Sequence, residues 1–141
     1  MTRIAFYKSF TGRVGDKIIG TLSCSRYSHC EIVLEDGLCI SSSYIDADGV
    51  RGKYINLGDH WDVFELVGDY DEDAMRYWAK VHDADTYDWL GAGASLFRID
   101  LTSENKKFCS QVCALMIGID PIITPGRLFN SLKRKNLITA D

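Results

Sequence analysis

The feature that most constrains this chain is the run from Ser28 to Ile45, two strand-like segments joined by Asp36 and Gly37. Ser28 to Glu35 (SHCEIVLE) alternates with branched side chains, and Leu38 to Ile45 (LCISSSYI) returns beside it. Asp-Gly between such runs is a strong hairpin signal. A two-residue turn would set Glu35 opposite Leu38, Val33 opposite Ile40, Glu31 opposite Ser42 and His29 opposite Tyr44. One face would then carry His29, Glu31, Ser42 and Tyr44, and the other Cys30, Ile32, Leu34 and Cys39. Whatever the loop length, His29 and Glu31 share a face, being two apart on one strand.

Arg3 to Ser9 reads as a first strand. Gly12 and Gly15 mark a turn, and Asp16 can cap a short helix with Ile18, Ile19 and Leu22 on its inner side. Gly49 and Gly52 bracket a turn, Lys53 to Leu57 suggests a short strand, and Trp61 to Leu66 alternates again. The period then changes. Asp71 to His82 has acids in its first turn and Ala74, Met75, Trp78 and Val81 at helical spacing. Tyr87 to Phe97 reads as a more apolar helix, with Gly91 and Gly93 as close-packing positions. A polar loop, Thr102 to Lys107, leads into a buried helix from Cys109 to Ile117. Pro121 and Pro125 end that run, and Arg127 to Lys135 makes a last short helix. Strands first and helices after predict an α+β fold, an antiparallel sheet packed against helices. The 141 residues fit one domain, residues 1–141.

The net charge of −4 argues against a protein that neutralises a phosphate backbone, so no nucleic-acid partner is expected. Lys133, Arg134 and Lys135 read as a solvated helix face. Trp61, Trp78 and Trp89 read as packing residues, since no basic patch interleaves them. No apolar stretch suits a signal peptide or membrane span, so the expected location is cytoplasmic, without membrane insertion. The cysteines at 24, 30, 39, 109 and 113 are an odd set for a disulfide scaffold, and reduced thiols are expected. They contain no Cys-x-x-Cys pair, and Asp83, Asp85 and Asp88 lack the pattern of a calcium loop. No metal or cofactor is expected.

Cys109 stands where a polar loop enters an apolar helix, and helix-start amides favour a thiolate. Cys113, one turn deeper, reads as core. A thiol nucleophile needs an imidazole base, and the imidazole needs a third group to orient it. His29 is the candidate base. Glu31 is the candidate orienter if its carboxylate folds back along the strand, with Ser42, Tyr44, Asp46 and Asp48 as alternatives.

The segments SRYSHCEIVLEDG (25 to 37), YDWLGAG (87 to 93) and KKFCSQVCAL (107 to 115), in that order, resemble the circularly permuted NlpC/P60 proteins of the papain-like fold, including small bacterial and phage-encoded members. The resemblance covers roughly residues 3 to 131. It implies a histidine strand preceding a cysteine helix, matching His29 to the family's Ser-His motif and Cys109 to its Phe-Cys-Ser motif. In that family the third polar residue varies and often comes from the strand after the histidine strand, and the position after the histidine, often small and apolar, is Cys30 here. The implied activity is that of a cysteine peptidase or amidase acting through Cys109, His29 and Glu31 on a peptide-like or acyl substrate. A thioesterase or lipid acyl hydrolase, with a groove lined by Trp89, Leu96 and Phe97, is one alternative. A catalytically silent phage protein that binds a host protein is another.

Overall fold

The computed structural model describes residues 1–9, 26–43, 49–83, 108–121 and 124–140. The helix expected after Asp16, the Tyr87 to Phe97 helix, the Thr102 to Lys107 loop and the distal hairpin residues Tyr44 and Ile45 lie outside them. The described residues form an α+β structure with one antiparallel sheet of six strands and three helices. The strands are β1 (Arg3–Lys8), β2 (Tyr27–Val33), β3 (Leu38–Ser43), β4 (Gly49–Tyr54), β5 (Trp61–Leu66) and β6 (Ile138–Ala140). The helices are α1 (Glu72–Val81), α2 (Cys109–Met116) and α3 (Pro125–Arg134). Across the sheet the order is β4-β3-β2-β1-β5-β6.

The hairpin differs from its expected register. Ile32 pairs with Ile40 and Val33 with Cys39, while the Leu34 amide donates to the Leu38 carbonyl at 2.9 Å. The connection therefore has three residues, Glu35, Asp36 and Gly37, and Gly37 sits at φ 89°. That left-handed residue suits a glycine and closes a three-residue hairpin in place of a two-residue one. The Val33–Ile40 pairing expected for a two-residue turn is thus replaced by pairings one residue removed. Cys39 moves with the register to the face of Val33 and Ala5.

Gly49 and Gly52 also differ from expectation, since both lie within β4 and do not bracket a turn. Gly52 pairs with Ile40, and a side chain there would meet Leu38 at 3.7 Å. Pro125 opens α3 at its first turn, where its missing N–H costs nothing, and the Thr124 hydroxyl accepts from the Arg127 amide. Asp71 caps α1 by accepting from the Ala74 amide at 2.9 Å. The C-terminal strand β6, unanticipated, pairs with β5 from Phe64↔Ala140 to Leu66↔Ile138.

Alternation puts Ile4, Phe6, Cys30, Ile32 and Ile40 on one sheet face, where they meet Met75 and Ala79 of α1, Val112 and Cys113 of α2, and Leu128 and Leu132 of α3. Phe129 anchors α3 among Phe6, Tyr27 and Phe64, with ring centroids 5.0 to 5.5 Å away. The opposite face carries a smaller cluster of Ala5, Val33 and Cys39, packed by Ile55, Leu57, Trp61 and Val63. Charge ties α1 to the hairpin turn: Glu72 accepts from the Glu35 amide, and Arg76 lies 3.0 Å from Asp36.

Candidate active site

The β2–β3 ladder stops at Ile32↔Ile40 among the described residues, although β3 runs on to Ser43 and pairs with β4 throughout. Backbone groups of β2 beyond that point must find partners elsewhere. The Cys30 carbonyl accepts from the Ser41 hydroxyl at 2.6 Å. The Cys30 backbone lies beside the Cys109 sulfur at the start of α2 and favours its anion. The sheet thus opens where the helix start enters, and the strand backbone comes up against the thiol.

Phe108 is the N-cap of α2, with φ −105° and ψ 167°, and Cys109 is the first helical residue. Gln111 turns back so that its side-chain oxygen accepts from the Phe108 amide at 3.3 Å, which fixes the entry of the chain. Cys109 is 1% exposed. Three influences act on its thiol. The neutral Cys30 thiol donates to it, burial opposes ionisation, and the charge and N–H of His29 favour the anion. The balance holds Cys109 well below the usual thiol range.

His29 lies on the sheet face of Glu31, and the two side chains meet as the strand alternation allows: Nε2 is 2.8 Å from Glu31 Oε1. That contact leaves Nδ1 for the sulfur. Burial alone would push the imidazole pKa down, but the Cys109 anion and Glu31 outweigh it and raise the pKa well above the usual histidine value. Both shifts run in the direction that favours a thiolate beside an imidazolium. His29 keeps 20% side-chain exposure whereas Glu31 has none, so the imidazole is the group that meets solvent. Trp61 stands edge-on to its ring at 6.0 Å, and Tyr7 packs against Trp61 at 5.0 Å.

A carboxylate with no exposure needs a cation close by. Arg51 of β4 supplies it, reaching across β3 from its place opposite Ser41. Its Nη1 donates to Glu31 Oε2 at 2.7 Å and its Nη2 to Oε1 at 2.6 Å. Burial would raise the Glu31 pKa, but the bonds and charges of His29 and Arg51 lower it below the usual carboxylate range. The line Arg51, Glu31, His29, Cys109 is continuous.

The structure thus brings together Cys109, His29 and Glu31. Among the alternatives to Glu31, Tyr44, Asp46 and Asp48 lie outside the described residues, while Ser42 pairs with Val50 and stands on β3, one residue off the register expected for it. Sequence reasoning missed Arg51, which it had assigned to a turn between Gly49 and Gly52. A buried acid on β2 was itself a signal that a basic residue must come from a neighbouring strand. It also missed Cys30 as a partner of Cys109. The Tyr27 hydroxyl donates to Asp62 at 2.7 Å, with Lys8 and Arg26 on the same carboxylate. Trp89, Leu96 and Phe97 lie outside the described residues. No group of three or more His, Cys, Asp or Glu among the described residues could hold a metal ion, and no described helix is long and apolar enough to cross a membrane. No protein-family model matches the chain, and no curated protein sequence matches it.

Proposed function

We propose that this chain is a cysteine hydrolase that cleaves an amide bond of a peptide-like substrate through an acyl-enzyme. The observation that carries this reading is the contact of Cys109, at a helix start, with an imidazole whose other nitrogen is held by a buried carboxylate. A histidine strand preceding a cysteine helix against an antiparallel sheet also fits the papain-like fold in its circularly permuted NlpC/P60 form.

The Cys109 thiolate attacks the carbonyl carbon, and the oxygen takes up the negative charge. The Cys109 amide, which has no acceptor within its helix, is positioned to donate to that oxyanion. The His29 imidazolium gives its proton to the leaving nitrogen, and the C–N bond breaks. Neutral His29 then takes a proton from water as the hydroxyl attacks the thioester. Collapse releases the carboxylic acid and restores the ion pair. Glu31 holds the imidazole in place and favours its charged form throughout.

The test is alkylation of Cys109 by iodoacetamide across pH, read by peptide mass spectrometry, in the native protein and in His29→Ala. Labelling well below the free-thiol pKa of about 8.5, lost in the variant, is the expected result. Labelling that follows an ordinary thiol in both proteins overturns the proposal. Matched amide and ester substrates of one acyl group then separate the amidase from an esterase, which would turn over the ester alone.

A further inference from the structure

Three of the four described cysteines converge on one spot. Cys30, Cys109 and Cys113 belong to the same buried cluster, on the sheet face that receives α2. The Cys30 thiol lies near enough to both Cys109 and Cys113 for each to act on its ionisation. Cys39, by contrast, lies on the opposite face with Ala5 and Val33. Hydrolysis as derived above requires Cys109, and the Cys30 thiol enters none of its bond-making or bond-breaking steps.

We propose that Cys30 and Cys109 form a peroxide-responsive dithiol, in which Cys30 captures the oxidised nucleophile as a reversible disulfide. The inference rests on the reading of Cys109 as an activated thiolate. The chemistry balances with a hydroperoxide as oxidant. The Cys109 thiolate attacks one peroxide oxygen, the O–O bond breaks, and the leaving hydroxide takes the His29 proton as water. Cys109 is now a sulfenic acid. The Cys30 sulfur attacks the Cys109 sulfur, the S–O bond breaks, and the departing hydroxyl carries off the Cys30 proton as a second water. Two thiols have lost two electrons and one peroxide has become two waters. A dithiol reductant reverses the change.

The contact decides the fate of the sulfenic acid. Without a thiol in reach, further peroxide drives it to the sulfinic acid, which common thiols do not reduce. With Cys30 packed beside Cys109 in one buried cluster, capture is intramolecular and precedes the second oxidation. Burial of Cys30 keeps its own thiol protonated and unreactive toward peroxide, so oxidation begins at Cys109 alone. Cys113 is also near Cys30 but lies a turn deeper in α2, away from His29 and the site of attack.

The full chain, reduced and then exposed to graded hydrogen peroxide, is blocked with iodoacetamide at acid pH and mapped by non-reducing peptide mass spectrometry. The expected product is a Cys30–Cys109 disulfide, with complete return of Cys109 labelling after dithiothreitol. In Cys30→Ser, which keeps a donor beside Cys109 but no thiol, the same exposure gives Cys109 carrying two added oxygens, and dithiothreitol does not restore labelling. A disulfide joining other cysteines, or sulfinic Cys109 in the native chain without a disulfide, overturns the proposal. Labelling of the never-oxidised native chain at acid pH is read alongside. If it is fast, a missing disulfide counts against the dithiol alone, and if it is slow, the activated thiolate itself has failed.

Discussion

Replacing Arg51 by methionine removes the cation from a carboxylate that has no other route to water. The Glu31 side chain has no exposure and that of Arg51 only 6%, so the value of about 0–1 kcal/mol typical of surface pairs does not apply. Breaking a buried pair by deleting one partner costs about 3–5 kcal/mol. Glu31 keeps the His29 imidazolium at 2.8 Å, which places Arg51→Met at the low end, about 3 kcal/mol. For a chain of this size that corresponds to a fall in Tm of about 10 °C. The cost has a signature in pH. The Glu31 pKa is depressed in the folded protein, so its pair stabilises the fold above the unfolded carboxyl pKa and ceases to do so as pH falls through the folded value. The gap between native and variant stability is therefore widest near neutrality and closes in acid. Urea unfolding followed by tryptophan fluorescence at both pH values measures it. Glu31→Gln combined with Arg51→Met removes both charges and recovers most of the loss. A neutral-pH cost under about 1 kcal/mol, or a gap that stays constant on acidification, refutes the buried-pair reasoning.

Glu31→Gln alone takes away the charge that favours the imidazolium. Loss of that charge-assisted bond lowers the His29 pKa, seen in the imidazole NMR titration and in the alkaline limb of the proposed amide hydrolysis. An unmoved titration would show that Glu31 does not act on the ring. Gly37→Ala meets no atom within 4 Å but must adopt φ 89°, which costs about 1–2 kcal/mol in urea unfolding. A neutral or stabilising alanine would contradict the left-handed hairpin residue.

Much of the fold was legible because its signals are local. Trp61 to Leu66 alternates with few ambiguities and is β5, while Asp71 followed by Glu72 and Asp73 announces α1 from its cap. The juxtaposition of His29 and Glu31 needed only the period of a strand. The hairpin register was not legible, since Asp-Gly serves two-residue and three-residue loops alike and Gly37 decides between them through its φ angle. Arg51 was hidden for a different reason. Its role depends on β4 pairing with β3, and glycines on either side of it favour a turn on local grounds. Cys30 looked like core from its alternation, and it is core. Its second part arises only because β2 and β3 separate beside it, a tertiary event without local signature. The strand β6 spans three residues, too few for any period to stand out.

The opening between β2 and β3 also sets the order in which the chain acquires its chemistry. The backbone group, the imidazole and the carboxylate that act on the Cys109 sulfur come from three successive residues of β2, yet the sulfur itself arrives from the far part of the chain. During synthesis the receiving strand is complete long before the helix that fills it exists. On the function proposed above, Cys109 is an ordinary thiol until α2 docks, slow toward electrophiles and slow toward oxidants. Rapid acid-pH alkylation of Cys109 is therefore a clock for the last long-range step of folding, read at a single atom.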